Sequence, residues 1–152
     1  FSNGGGAVNA NMSIGRRVVM KLLNLTLHIV NRQVDVKAMQ QKYHAPGGKV
    51  MVLDFYDIPF QVPIMIKDGT VRFADPKTPP NAIVRMRLRT FIAISKGQDD
   101  RGRPIDFRTA WAHGLIEMNG TSAMRWLSDA VLFNELYISV YPKLAPYLTD
   151  IT

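Results

Sequence analysis

Cysteine is missing from the chain of 152 residues. A disulfide scaffold, thiolate zinc, an iron–sulfur centre and a cysteine nucleophile are therefore excluded. The redox compartment is left open by this, and a cytoplasmic setting is expected. No apolar stretch approaches the roughly 18 to 20 residues that cross a bilayer. Charge is sparse, at 20% of residues against 47% hydrophobic ones, which excludes both a disordered chain and a coiled coil. Acidic residues are the scarcer sign. Twelve Asp and Glu stand against nineteen Lys and Arg, for a net charge of +7. That balance suits an anionic partner, a membrane surface or a nucleic acid, without choosing between them.

Catalytic constellations are lacking as well. The histidines His28, His44 and His113 have no metal spacing to one another, and no HExxH, GxSxG, GxGxxG or Walker A motif occurs. Asp99-Asp100 with Asp106 invites a calcium loop, but Arg101 and Arg103 fill ligand positions and no Glu closes it. A solvated loop with local Arg–Asp pairing is expected there. Asp54 and Asp57 have no partner identifiable in sequence, so a two-carboxylate mechanism cannot be built. No enzyme, no metal and no cofactor is expected. His28 falls in an apolar helical segment and is read as a core or interface residue.

What is present is enough for one domain. A chain of this size buries roughly 70% of its unfolded surface and needs neither disulfide nor metal to hold a core. Residues 1–11, beginning Phe1-Ser2-Asn3-Gly4-Gly5-Gly6, read as a disordered tail or a leftover of expression, and 12–152 as a single domain. Ser13 is placed to cap a long helix over Ile14–Asn31. Asp35 is placed to cap a short one to Tyr43. Strands are expected over Lys49–Tyr56 and Phe60–Lys67. Asp68-Gly69 then predicts a type I′ turn, which fixes a register. Lys67 faces Thr70, Ile66 faces Val71, Met65 faces Arg72 and Ile64 faces Phe73. One face collects Val62, Ile64, Ile66, Val71 and Phe73, and the other Met65, Lys67, Thr70 and Arg72. Pro63 removes a donor and predicts an edge or a distortion.

Asn81–Leu88 alternates as a further strand, with Arg85 and Arg87 on its polar side. Thr90 is expected to cap a helix from Phe91 to Lys96, ended by Gly97. Asp106 is expected to cap another through Ala112, ended by Gly114. A strand over Leu115–Asn119 and a helix from Ala123 to about Tyr137 complete the pattern. It is an α+β fold, with helices packed on one face of an about five-stranded, mostly antiparallel sheet.

Two features point beyond a plain core. Lys67, Arg72, Arg85 and Arg87 predict one basic sheet face, suited to anionic lipid headgroups. Nucleic acid is disfavoured, because no aromatic pair sits on that face. The last third is also dense in large apolar side chains on short, glycine-broken helices, and eight methionines supply adaptable apolar surface. Pockets for apolar ligands are lined by such types.

From Val50 onward the order of elements resembles the sterol carrier protein 2 (SCP2) family. The resemblance rests on Lys67-Asp68-Gly69-Thr70-Val71, on Pro79-Pro80-Asn81-Ala82-Ile83-Val84 and on the helix Phe91–Lys96 ending at Gly97. Its most family-like stretch is Ala110-Trp111-Ala112-His113-Gly114-Leu115-Ile116-Glu117-Met118-Asn119-Gly120, before a helix starting at Ser122–Leu127. The linker Gln98–Pro104 is longer and more charged than is usual in the family.

The resemblance implies a non-catalytic, SCP2-like domain that shelters a sterol, fatty acyl or other lipid ligand between sheet and helices. The alternative it implies is an accessory domain presenting a hydrophobic substrate to a partner enzyme. Met86 and Met118 are then the expected floor of the cavity. Phe91, Ile94, Phe107 and Trp111 are the expected lining of one wall, and Met124, Leu127 and Val131 of the other. A weak contact with anionic membranes through Lys67, Arg72, Arg85 and Arg87 is expected, and the apolar chain ends allow a homodimer.

Overall fold

The computed structural model describes residues 2–45, 47–120 and 131–136, with 138, 140 and 143, and side chains from residue 13 onward. Helix α1 spans Ser2–Gln33 and α2 spans Val36–Lys42. Strands β1 (Val50–Phe55), β2 (Phe60–Lys67), β3 (Thr70–Phe73) and β4 (Ala82–Met86) follow. Helices α3 (Leu88–Lys96) and α4 (Phe107–Ala112) then lead to β5 (Glu117–Gly120). Residues 131–136 are helical, as are 138, 140 and 143, and are termed α5.

The sheet has five strands in the order β3-β2-β1-β4-β5. Only β1 and β4 run parallel, so the expected mostly antiparallel sheet is present. Asp68 and Gly69 both have positive φ, 53° and 74°, as a type I′ turn requires. The hairpin pairs Ile64 with Phe73, Met65 with Arg72, Ile66 with Val71 and Lys67 with Thr70, as the turn predicts. Across the sheet, Leu53 lies between Val62 and Val84, and Val84 meets Met118. These residues make the inner face. The alternate residues Met65, Val52, Asp54, Ile83, Arg85 and Glu117 make the outer one.

Pro63 departs from the simplest expectation. It lies in β2, which is not an edge strand. Its carbonyl accepts from the amide of Ala74 at 2.9 Å, so its missing N–H also faces the β3 side. β3 ends at Phe73, and no ladder donor is needed there.

Helix boundaries moved where tertiary contacts override local signals. α1 begins at Ser2 and Ser13 lies inside it rather than capping it; no proline interrupts the segment. Gly15 lets α1 approach the β1–β2 turn, because a Cβ there would come within 3.1 Å of Ile58 Cγ2. His28 is exposed, which corrects the core half of its reading as a core or interface residue: it sits on the outward side of α1, opposite the buried Leu22, Leu23 and Val30. α3 starts at Leu88, and Thr90 is a buried residue within it. The cap comes instead from Asp57, whose carboxylate accepts from the Leu88 amide at 3.1 Å. Asp35 and Asp106 do cap α2 and α4, the latter in a reciprocal capping box with Thr109. The expected helix Ala123–Tyr137 falls partly outside the described residues, and 138 and 140, beyond its predicted end, are helical.

β3 is sealed on its outer edge. The side chain of Asn31 donates to the Val71 carbonyl and accepts from the Val71 amide, each at 2.8 Å. A helix side chain here takes the place of a neighbouring strand. Replacing Asn31 by Ala leaves that pair of backbone groups to find water beneath α1. We expect a loss of roughly 1–3 kcal/mol of unfolding free energy by urea denaturation.

The charged linker is organised by Asp99. One carboxylate oxygen accepts from the amides of Arg101 and Arg103, and the other from Arg103 Nε at 3.0 Å. The backbone bond from Arg103 is the main cause holding this carboxyl below its ordinary pKa. With a depressed folded-state pKa, its contribution is whole above about pH 3.9 and is lost as pH falls through the lower folded value. A carboxyl carbon titration by NMR is expected to show Asp99 titrating below the ordinary aspartate value of about 3.9.

Candidate ligand-binding cavity

The inner face of the sheet and the helices over it enclose an apolar cavity of about 80 Å³. Met51, Leu53, Ile64, Val71, Val84 and Met118 form its sheet side. Strand alternation aims them: all but Val71 pair with, or lie two residues from, another of the set, and Val71 pairs with Ile66, two residues beyond Ile64. α1 supplies Leu23, Thr26, Leu27 and Val30, a repeat at helical spacing. α3 supplies Phe91, Ile94 and Ser95, α4 its first residue Phe107, and α5 Phe133 and Leu136. α3 is held at both ends, by Asp57 at Leu88 and by the left-handed Gly97, whose amide donates to the Ile94 carbonyl.

Four of the nine side chains expected to contact a ligand line this cavity: Phe91, Ile94, Phe107 and Met118. Met86 is fully buried but does not line it. It pairs with Phe55, whose ring meets Phe91 edge-on at 5.1 Å, and these side chains fill that end of the sheet. Trp111 is 48% exposed on α4 and points away from the cavity. Val131 is half-buried and outside the lining. Met124 and Leu127 lie outside the described residues. The α1 wall was absent from the sequence-based expectation, although the spacing of Leu23, Leu27 and Val30 signals it. Ser95 gave no signal that separates it from a surface serine.

The expected basic face is only partly assembled. Lys67, Arg72 and Arg85 do share the outer sheet face. Arg85, however, binds Asp54 at 3.1 Å and approaches Glu117 at 3.6 Å, both on the same face. Its guanidinium also sits 5.5 Å from the Tyr56 ring centre. Arg87 lies beyond the strand, at the N-cap of α3, and donates to the Tyr56 hydroxyl at 3.0 Å. That bond is the main cause raising its pKa. Parity places Lys67, Arg72 and Arg85 on one face, but two carboxylates interleave with them, so the face carries alternating charge. Among the described residues Lys67 and Arg72 have no ion-pair partner at the β2–β3 corner; there the Arg72 guanidinium donates to the Lys67 carbonyl and the Thr70 hydroxyl.

No group of three or more acidic or histidine side chains that could hold a metal occurs among the described residues. No described helix is long and apolar enough to cross a membrane.

No family model matches the sequence, and no curated protein matches it. Solved structures do match its fold. A ubiquinone synthesis protein, UbiJ-SCP2, aligns over 74% of this chain and 90% of its own, at 11% identity and a TM-score of 0.51. A conserved hypothetical protein from Thermus thermophilus, named as a candidate sterol carrier protein, aligns over 80% of this chain and 87% of its own. Its identity is also 11% and its TM-score 0.50. The fold is therefore SCP2-like.

Ile94 is fully buried against the cavity. Its truncation to Ala is expected to cost about 2–5 kcal/mol in chemical denaturation, since the neighbouring void hinders collapse of the lining.

Proposed function

We propose that residues 12–152 act as one lipid-binding unit that takes up a hydrophobic ligand without catalysing its conversion. The observation that carries this reading is an apolar cavity between sheet and helices in an SCP2-like fold. Its present volume is about 80 Å³, roughly half of the ~150 Å³ that accommodates one benzene ring. A lipid chain therefore enters by parting the layers. The flexible Met51 and Met118, and the half-buried rings of Phe107 and Phe133 at the helix side, are the groups that yield. The gain is about 0.8 kcal/mol for each methylene buried, so ten methylenes supply roughly 8 kcal/mol against the costs of rearrangement and binding.

Gently purified protein is expected to carry a lipid visible by native mass spectrometry and recoverable in an organic extract. A protein free of lipid, and unable to take up a fluorescent lipid at micromolar concentration, overturns the reading. Met118→Trp fills the cavity from the half-buried β5 position. It is expected to abolish uptake at a stability cost of about 1–3 kcal/mol.

A partner enzyme is the second reading. The similarity in fold to a ubiquinone synthesis protein supports it, since such a domain can hold a hydrophobic intermediate for an enzyme acting on it. Co-purification of an enzyme with the tagged protein separates this from a free carrier.

A weak attraction to anionic membranes fits the net charge of +7. On the sheet face it rests on Lys67 and Arg72. Each contributes about 1 kcal/mol near an anionic surface and is screened within a Debye length of about 8–10 Å. In sedimentation with anionic liposomes at low salt, the double change Lys67→Glu and Arg72→Glu is expected to lower binding. Arg85→Ala is expected to lower it by less, because it removes one positive charge and introduces no new negative one.

A further inference from the structure

The cavity contains an unspent hydrogen-bonding group. Among the described residues its lining has no Lys, Arg, His, Asp or Glu, and only two hydroxyls, Thr26 and Ser95. Thr26 has committed its proton: Oγ1 donates to the Leu22 carbonyl at 2.7 Å, the usual fate of a hydroxyl inside a helix. Ser95 is 5% exposed and lines the cavity; its hydroxyl makes no hydrogen bond to a described residue and keeps a little accessible surface. It occupies the last turn of α3, one residue before the helix ends at Lys96. Carbonyl groups there carry the negative end of the helix dipole.

These facts discriminate between ligands. A carboxylate drawn into this lining loses its hydration, finds no cation and meets the negative end of α3. An uncharged oxygen loses much less, and it supplies the partner that the buried serine lacks. We propose that Ser95 is the polar anchor of the cavity and selects a neutral, oxygen-bearing chain lipid, such as an alcohol, ester or ketone, over a fatty acid anion. This rests on the lipid-binding reading above and narrows it to a ligand class.

Three ligands of equal chain length separate the terms: tetradecanol, tetradecanoate and tetradecane, each displacing Nile red from the intact protein near neutral pH. Tetradecanol is expected to bind at least about tenfold tighter than tetradecanoate. Ser95→Ala is expected to weaken tetradecanol about three- to tenfold and leave tetradecane unchanged. If Ser95→Ala also loses tetradecane, the cavity itself is damaged, and Ser95→Cys, with its weak donor, is read in its place. Tetradecanoate binding as tightly as tetradecanol overturns the proposal. So does a serine variant that retains tetradecane and keeps wild-type affinity for tetradecanol. If none of the three displaces Nile red from the wild-type protein, the lipid-binding reading fails, and the selectivity falls with it.

Discussion

Strand parity governs everything placed in this molecule. Leu53 and Val84 face one another beneath the helices because β1 and β4 pair in one register, and Asp54 and Arg85, one residue on, meet on the opposite face. A slip of one residue would turn the cavity floor to solvent and drive an ion pair under α1 and α3. The burial of Leu53, Ile64 and Val84 and the desolvation cost of Asp54 and Arg85 penalise that slip together. Two-residue hairpin geometry adds a local lock at Asp68-Gly69. A floor positioned by so many concurrent penalties is rigid, which leaves the helices as the layer able to move.

Rigid floor and movable roof divide the lining by chemistry. The sheet offers branched aliphatic side chains from its central strands, with methionines at Met51 and Met118. The roof offers three phenylalanines, carried on α3, α4 and α5. Rings pivot about a single Cβ and can clear space without moving backbone, whereas the branched residues on the strands cannot. α3 is the best anchored of the short helices, through Asp57 and Gly97. α4 has six residues, one of them buried, and depends on its capping box. Its first residue, Phe107, is thus mounted on a short helix with one buried residue.

The parts of this arrangement that were legible in sequence are those written in neighbouring residues. The hairpin register followed from two turn residues and an alternation. The caps at Asp35 and Asp106 lie next to the helices they start. The cap at Leu88 was not legible, because Asp57 is 31 residues distant and reaches it only once β1 and β4 are paired. Thr90 is a good local candidate, but it is buried within a helix that starts earlier. The same limit explains the cavity. Phe91, Ile94, Phe107 and Met118 were found from apolar density, while the α1 wall was overlooked because it lies far away in the chain. Met86 falls outside the cavity lining for a different reason. Alternation gives the face of a strand correctly but not the position along it, and Phe55 fills the space beside Met86.

The paired bonds between Asn31 and Val71 bear on how copies of this chain can meet. Growth of an open-ended strand-to-strand polymer needs two unsaturated edges on every molecule. Here the β3 edge is already saturated at its middle by a side chain of α1, and α1 and α2 both lie against that strand. At most the β5 edge remains, which gives the sheet a valence of one. Pairing through it stops at two copies, so a single asparagine terminates a route to fibres.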